Sequence, residues 1–163
     1  MAMSGDGPEP RRIDPPEEFL EASVDPRGRV RIPDRLYEFL QQFGDQQYFI
    51  TSFDLEVVRI YPLTIWKRNV ELLENATQDA ESGHRLLFLA RLRGHTTSFD
   101  TEQRLLLPLR LRQQMGLERQ RVYLQWFRGH LELMTPQYVS RHEAESQLTA
   151  KTDLKLFQEK GLL

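Results

Sequence analysis

The sequence of 163 residues contains no cysteine, which excludes a disulfide framework, a thiolate zinc site and a cysteine nucleophile together. It has no apolar run near the roughly 18 residues that a membrane-spanning helix needs. Its opening, MAMSGDGPEPRR, lacks the apolar centre of a secretory leader, so the expected compartment is the cytoplasm and no membrane partner is expected. Neither sign of charge prevails: 22 Lys and Arg stand against 24 Asp and Glu, a net charge of −2. The chain as a whole is therefore no general polyanion binder, and any nucleic-acid contact must be local.

The patterns of catalysis are missing too. There is no nucleophile elbow, no phosphate-binding glycine loop and no paired-glycine nucleotide motif, so no catalytic residue, no cofactor and no small-molecule substrate is assigned. His84, His95, His130 and His142 are scattered without metal-ligand spacing, and no metal is expected. Asn75-Ala-Thr77 matches a glycosylation sequon, which a chain without a leader never presents to that machinery.

What is present is a hydrophobic fraction of 39%, enough for one ordinary domain or two small ones. Four of the 22 basic residues are lysine and 18 are arginine, a skew toward the side chain that contacts phosphates and guanine edges bidentately. Residues 1 to 18 hold four prolines and five acids with almost nothing to bury, and read as a disordered acidic tail. Residues 21 to 62 carry a net −2 and residues 99 to 136 a net +2.

An internal repeat organises the rest. Asp25-Pro-Arg-Gly-Arg-Val-Arg-Ile-Pro33 lies on Asp100-Thr-Glu-Gln-Arg-Leu-Leu-Leu-Pro108 at an offset of 75, with Leu36 on Leu111 and Leu40 on Met115. With one residue deleted, Ile60-Tyr61-Pro62 falls on Met134-Thr135-Pro136. Each copy reads as strand, short helix, strand, turn, strand. Pro33 suits the start of a helix whose apolar face is Leu36, Phe39, Leu40 and Phe43, with Gly44 as its C-cap; Pro108, Leu111, Met115 and Gly116 repeat this. Pro62 opens a helix with Leu63, Trp66, Val70 and Leu73 on one stripe, and Pro136 opens another with Tyr138 and Val139. Residues 79 to 93 predict a linking helix with Leu86, Leu89 and Ala90 facing inward. Trp66 and Trp126, at apolar positions, read as core.

The motif Asp-x-x-Gly-Arg-x-x-x-Pro at 25 to 33 resembles the AbrB-type swapped-hairpin DNA-binding unit. Two such units, the first closed by Tyr61-Pro62-Leu63-x-x-Trp66, resemble the MraZ family of bacterial transcriptional regulators over residues 20 to 140. The resemblance implies a mainly β fold with short helices, in which tandem units interlock as one pseudo-twofold β-barrel flanked by helices. Its units would span 19 to 66 and 94 to 138, joined by linking helices over 67 to 93 and followed by a C-terminal helix and tail over 139 to 163. It implies a ring-like homo-oligomer, nucleoid-associated, that binds repeated elements in double-stranded promoter DNA and represses the division and cell-wall gene cluster. Gln103 and Glu102 depart from the family's glycine and its basic neighbourhood, which puts the turn and the DNA contact of the second unit in question.

The chemistry of such binding is legible in the first motif. Arg27, Arg29 and Arg31 alternate with Gly28 and Val30, so an extended chain projects three guanidinium groups to one side. Such a row neutralises phosphates, and an arginine at a base edge bridges guanine O6 and N7. Arg27, Arg29, Arg31 and Arg104 are the candidate DNA contacts; Asp25, Gly28, Pro33, Asp100 and Pro108 are the candidate structural positions of the motif. The bland alternative is that Asp25 holds Arg29 in an internal pair that orders the turn. Two competing functions stand beside the regulator. One is an oligomeric scaffold of the same fold that has lost DNA recognition; the other is an antitoxin whose polar C-terminal stretch, 141 to 163, grips a toxin.

Overall fold

The structure is a computed structural model that describes residues 12–163; residues 1 to 11 of the expected acidic tail lie outside them. Among the described residues the elements are β1 (Leu20–Ser23), β2 (Arg29–Arg31), α1 (Asp34–Gln41), β3 (Tyr48–Thr51), β4 (Val57–Pro62), α2 (Leu63–Glu74) and α3 (Ala80–Arg93). They continue with β5 (His95–Thr97), β6 (Arg104–Leu106), α4 (Leu109–Met115), β7 (Arg121–Phe127), β8 (His130–Met134) and α5 (Pro136–Glu159).

Pro33 and Pro108 both occupy the N-cap, where a fixed φ near −55° directs the chain into α1 and α4. Leu36, Phe39 and Leu40 are the buried stripe of α1, as the spacing predicts. Gly116 caps α4 in the left-handed conformation. Its expected counterpart Gly44 does not cap α1: Gln42 does, in right-handed geometry, and Gly44 takes positive φ two residues later.

All strand pairing is antiparallel, in a six-stranded sheet of order β1-β7-β8-β4-β3-β5 and a separate two-stranded ladder β2-β6. The two halves exchange their first strands. β1 of the first half pairs with β7 of the second, and β5 of the second pairs with β3 of the first, while β4 and β8 pair with each other at the centre. The repeat reading did not include β1 and β5, because Leu-Glu-Ala-Ser and His-Thr-Thr are short edge strands without an apolar run. The six-stranded sheet ends at β1 and β5, and among the described residues no closed barrel is found.

The expected mainly β class with short helices gives way to a mixed α/β fold, since more described residues lie in helices than in strands. The main reason is α5, whose 24 residues follow an N-cap in which the Thr135 hydroxyl accepts the Tyr138 N–H at 3.2 Å. No residue of α5 is buried, so its length owes nothing to core packing.

One core serves both halves. Val30, Ile32, Leu36, Leu40, Ile50, Val58 and Ile60 from the first meet Leu105, Leu107, Leu111, Leu117, Val122, Leu124, Leu131 and Leu133 from the second. Trp126 packs against Phe39 and Phe43. Facing this core, Val58 and Ile60 of β4 correspond to Leu131 and Leu133 of β8, and the N-caps Pro62 and Thr135 correspond as well. Two residues are therefore deleted between the copies, not one. A one-residue error matters in a strand because it exchanges the two faces.

On the opposite face of the sheet, α2 and α3 cover Phe49 and Tyr61 with Trp66, Leu87 and Ala90, and Phe49 stacks on Trp66 at 4.3 Å. Leu87 and Ala90 face inward, whereas Leu86, expected there, is exposed and Leu89 is half-buried. Gly83 explains the rotation: a Cβ on it would stand 2.4 Å from the Leu73 carbonyl oxygen, so the closest approach of α3 to α2 is fixed at this glycine. Residues 12 to 18 run along α1. There the Gln42 amide exchanges two hydrogen bonds with the Ile13 backbone, at 3.2 and 2.9 Å, and Arg35 pairs with Glu18.

Candidate nucleic-acid interface

The β2–β6 ladder places Arg29 opposite Leu106, Val30 opposite Leu105, and Arg31 opposite Arg104. Directly opposed residues share a face. Val30 and Leu105 point into the core and are fully buried; Arg29, Arg31 and Arg104 therefore stand together on the outer face beside the partly exposed Leu106. Three of the four candidate contacts, drawn from both halves, meet on a ribbon three residues long.

A motif turn flanks each end of this ribbon, and the two turns have the same backbone bonding. In the first, Asp25 Oδ1 accepts the N–H groups of Arg27 and Arg29, both at 2.9 Å, and Oδ2 accepts Arg29 Nε at 2.8 Å. In the second, Asp100 Oδ1 accepts the N–H groups of Glu102 and Arg104, both at 2.9 Å, and Oδ2 accepts Arg104 Nε at 2.8 Å. The turns are tied to the ladder symmetrically as well. The Gly28 carbonyl accepts the Leu107 N–H and the Gln103 carbonyl accepts the Ile32 N–H, each at 2.9 Å.

Electrostatics follow from this geometry. Partial burial pushes the Asp25 carboxyl up, but the N–H groups of Arg29 and Arg27 and the Arg29 guanidinium outweigh it, leaving its pKa below the ordinary value. The Arg104 N–H and guanidinium hold Asp100 low in the same way. Arg29 and Arg104 are thus first of all turn-ordering residues, as the internal-pair reading of Asp25 anticipates. Arg104 is engaged twice, with Glu102 at 3.2 Å in addition to Asp100.

The remaining arginines are freer. The Arg27 side chain is exposed and, among the described residues, pairs with no carboxylate. Arg31 is exposed and reaches Asp34 at 3.1 Å, a surface pair of small energetic weight. The Gln103 amide, with Asp34 at 2.9 Å and the Ile32 carbonyl at 3.2 Å, ties that carboxylate to the second turn. Counting each turn from its aspartate to its motif arginine, the first carries +1 and the second −1.

The glycine position separates the turns further. Gly28 has φ +81° and Gln103 has φ +61°, so the second turn keeps the left-handed conformation without glycine. Over Gly28 lies Arg112 of α4, which the sequence reading did not single out. Its Nη1 donates to the Arg27 carbonyl at 3.0 Å and pairs with Glu118 at 3.2 Å. Its only signal in the sequence is an arginine at the position where the first copy has Tyr37. Among the described residues no three His, Asp or Glu side chains converge as a metal site would require. No described helix is long and apolar enough to cross a membrane.

No family model matches the sequence. Individual proteins do. The chain is 37% identical over 101 residues to Transcriptional regulator MraZ of Shewanella loihica, covering 60% of this chain and 64% of that protein, less than two thirds of its length. It is 24% identical over 140 residues to the protein of the same name from Koribacter versatilis, covering 85% and 94%. It is 28% identical over 118 residues to that of Thermomicrobium roseum, covering 71% and 78%. The relatives agree in name and two of them span most of the chain, so the chain is similar to the MraZ transcriptional regulators.

Proposed function

We propose that the chain is a sequence-specific, double-stranded-DNA-binding transcriptional regulator that acts without catalysis, and that its first motif turn is the principal contact. The observation that carries the reading is the β2–β6 ribbon, which sets Arg29, Arg31 and Arg104 on one outer face with the exposed Arg27 at its end. Arg27 and Arg31 neutralise phosphates, and one of them reaches a guanine edge, a contact worth about 1–3 kcal/mol of discrimination. The second turn, with Arg104 closed onto Asp100 and Glu102, contributes less.

The fuller reading is a repressor of the division and cell-wall gene cluster that engages repeated promoter elements as a ring-like homo-oligomer at the nucleoid, each half a swapped-hairpin unit. The exchange of β1 and β5 between halves supports the swapped-hairpin part. Exposed Leu72, Phe88 and Leu92 on α2 and α3 support assembly. Assembly would also answer the weak overall charge, since many copies of one arginine turn on one face act through local concentration.

The test is fluorescence anisotropy with the DNA upstream of the protein's own gene and a shuffled control, at two salt concentrations. The reading predicts binding to the upstream fragment alone, weakened by salt. A second reading, an oligomeric scaffold without DNA recognition, is favoured by the pairing of both motif arginines with carboxylates; it predicts assembly with no DNA binding even at low salt.

A further inference from the structure

We propose that Arg112 is the positioning residue of the first motif turn: it reaches from the second half to fix the Arg27–Gly28 backbone, and so aims the Arg27 side chain without touching DNA itself. The inference rests on the DNA-binding reading and deepens it.

Arg112 meets the turn in two ways. Its stem fills the space above Gly28, where a Cβ would stand 2.0 Å from Arg112 Cδ and 2.5 Å from Nε. Glycine at 28 is thus the condition for this side chain to lie down on the turn. Its Nη1 then donates to the Arg27 carbonyl at 3.0 Å. The next carbonyl along, that of Gly28, accepts the Leu107 N–H at 2.9 Å. The peptides on either side of Gly28 are consequently gripped from the second half, one by a side chain and one by a backbone.

The same side chain is badly placed for DNA. It is only 15% exposed, its charge is matched by Glu118 at 3.2 Å, and its Nε is buried without a partner. A buried donor left unsatisfied is costly, and holding the turn is the structural return visible at this site. The pseudo-twofold supplies the control. Tyr37, the counterpart of Arg112, packs edge-on to Phe99 at 4.9 Å, and the second turn is held by its own Gln103 amide. Only the turn with the exposed arginine has an arginine brace.

Arg112→Met keeps an apolar stem over Gly28 and removes the donors; Arg112→Lys restores a cation and one chance of a donor. Each is to be measured on the full chain by amide hydrogen exchange and by DNA anisotropy across salt, with thermal melts to establish folding. The expected result for Arg112→Met is faster exchange at Arg27, Gly28 and Arg29, with core amides unchanged. DNA binding should weaken about tenfold, the loss of one hydrogen bond from a charged donor, with any fall in salt slope no larger than that of Arg27→Ala and partial recovery in Arg112→Lys. Combined with Arg27→Ala, Arg112→Met should add almost nothing, because it acts through Arg27. A salt slope that Arg112→Met lowers by a further amount of about 0.9 on the Arg27→Ala background, one more phosphate contact, would overturn the proposal by making Arg112 a direct contact, as would full additivity with Arg27→Ala or unchanged exchange in the first turn. Loosened amides in a protein whose wild type binds no DNA would uphold the brace and sink the DNA-binding reading alone.

Discussion

Asp25 and Asp100 accept the same set of hydrogen bonds at the same distances, yet the turns they organise present opposite charge and are held from above by different groups. In the first, glycine makes room for Arg112 and leaves Arg27 exposed. In the second, Gln103 takes the left-handed conformation and anchors itself to Asp34 and Ile32, while Glu102 stands at the place of Arg27 and closes on Arg104. The backbone of the motif thus depends on the aspartate and on one left-handed residue, and the surface it presents is free to diverge. A pseudo-twofold fold can keep two equivalent turns while presenting a different surface on each.

The strongest challenge to this comparison is at the level of the whole fold. Leu36 and Leu111 are equivalent, buried in one shared core, so each change to alanine should cost about 2–5 kcal/mol and lower a single cooperative melting transition. Two transitions, one shifted by each substitution, would mean that the halves fold separately.

The turns come next. Gly28→Gln must place a side chain at positive φ, costing about 1–2 kcal/mol, and displace Arg112 from its hydrogen bond, about 1 kcal/mol more. Gln103→Gly relieves strain while losing two side-chain bonds and should stay within about 1 kcal/mol of wild type. Urea unfolding of the two variants checks the asymmetry.

A smaller contrast lies in the core, where Tyr48 of the first half corresponds to Val122 of the second and both are fully buried. The Tyr48 hydroxyl has no partner, and burial pushes its pKa up to about 12. Because the folded state retains a proton that an unfolded tyrosine loses near pH 10, this contribution to stability is intact below about pH 10 and is lost as pH rises toward 12. Tyr48→Phe should be neutral to stabilising by about 1 kcal/mol at neutral pH and should flatten the alkaline fall, as followed by melts at stepped pH. The gentlest change converts one turn toward the other. Glu102→Arg gives the second turn the charge of the first and should strengthen DNA binding severalfold, with a salt slope steeper by about 0.9.

Much of this was readable in the sequence where the information is local. Aspartate, a left-handed residue, arginine and proline at fixed spacing specify a turn, a ladder strand and a helix start within nine residues, and all three appear twice. The placement of Arg29, Arg31 and Arg104 on one face follows once two such strands pair. What was not readable depends on distant partners. β1 and β5 owe their strand form to pairing with the other half, not to any periodicity of their own. The inward face of α3 is set by Gly83 against Leu73, which turns Leu87 inward and Leu86 out. Arg112 is an unremarkable helical arginine until Gly28, 84 residues earlier, is brought beneath it.

The most direct test of the central claim, that the first turn and not the second carries recognition, is the salt dependence of anisotropy for Arg27→Ala beside Arg104→Ala on the protein's own upstream DNA. The account predicts that Arg27→Ala weakens binding and lowers the slope by about 0.9, while Arg104→Ala leaves the slope unchanged. Equal reductions in both would contradict it and make the two turns equivalent contacts.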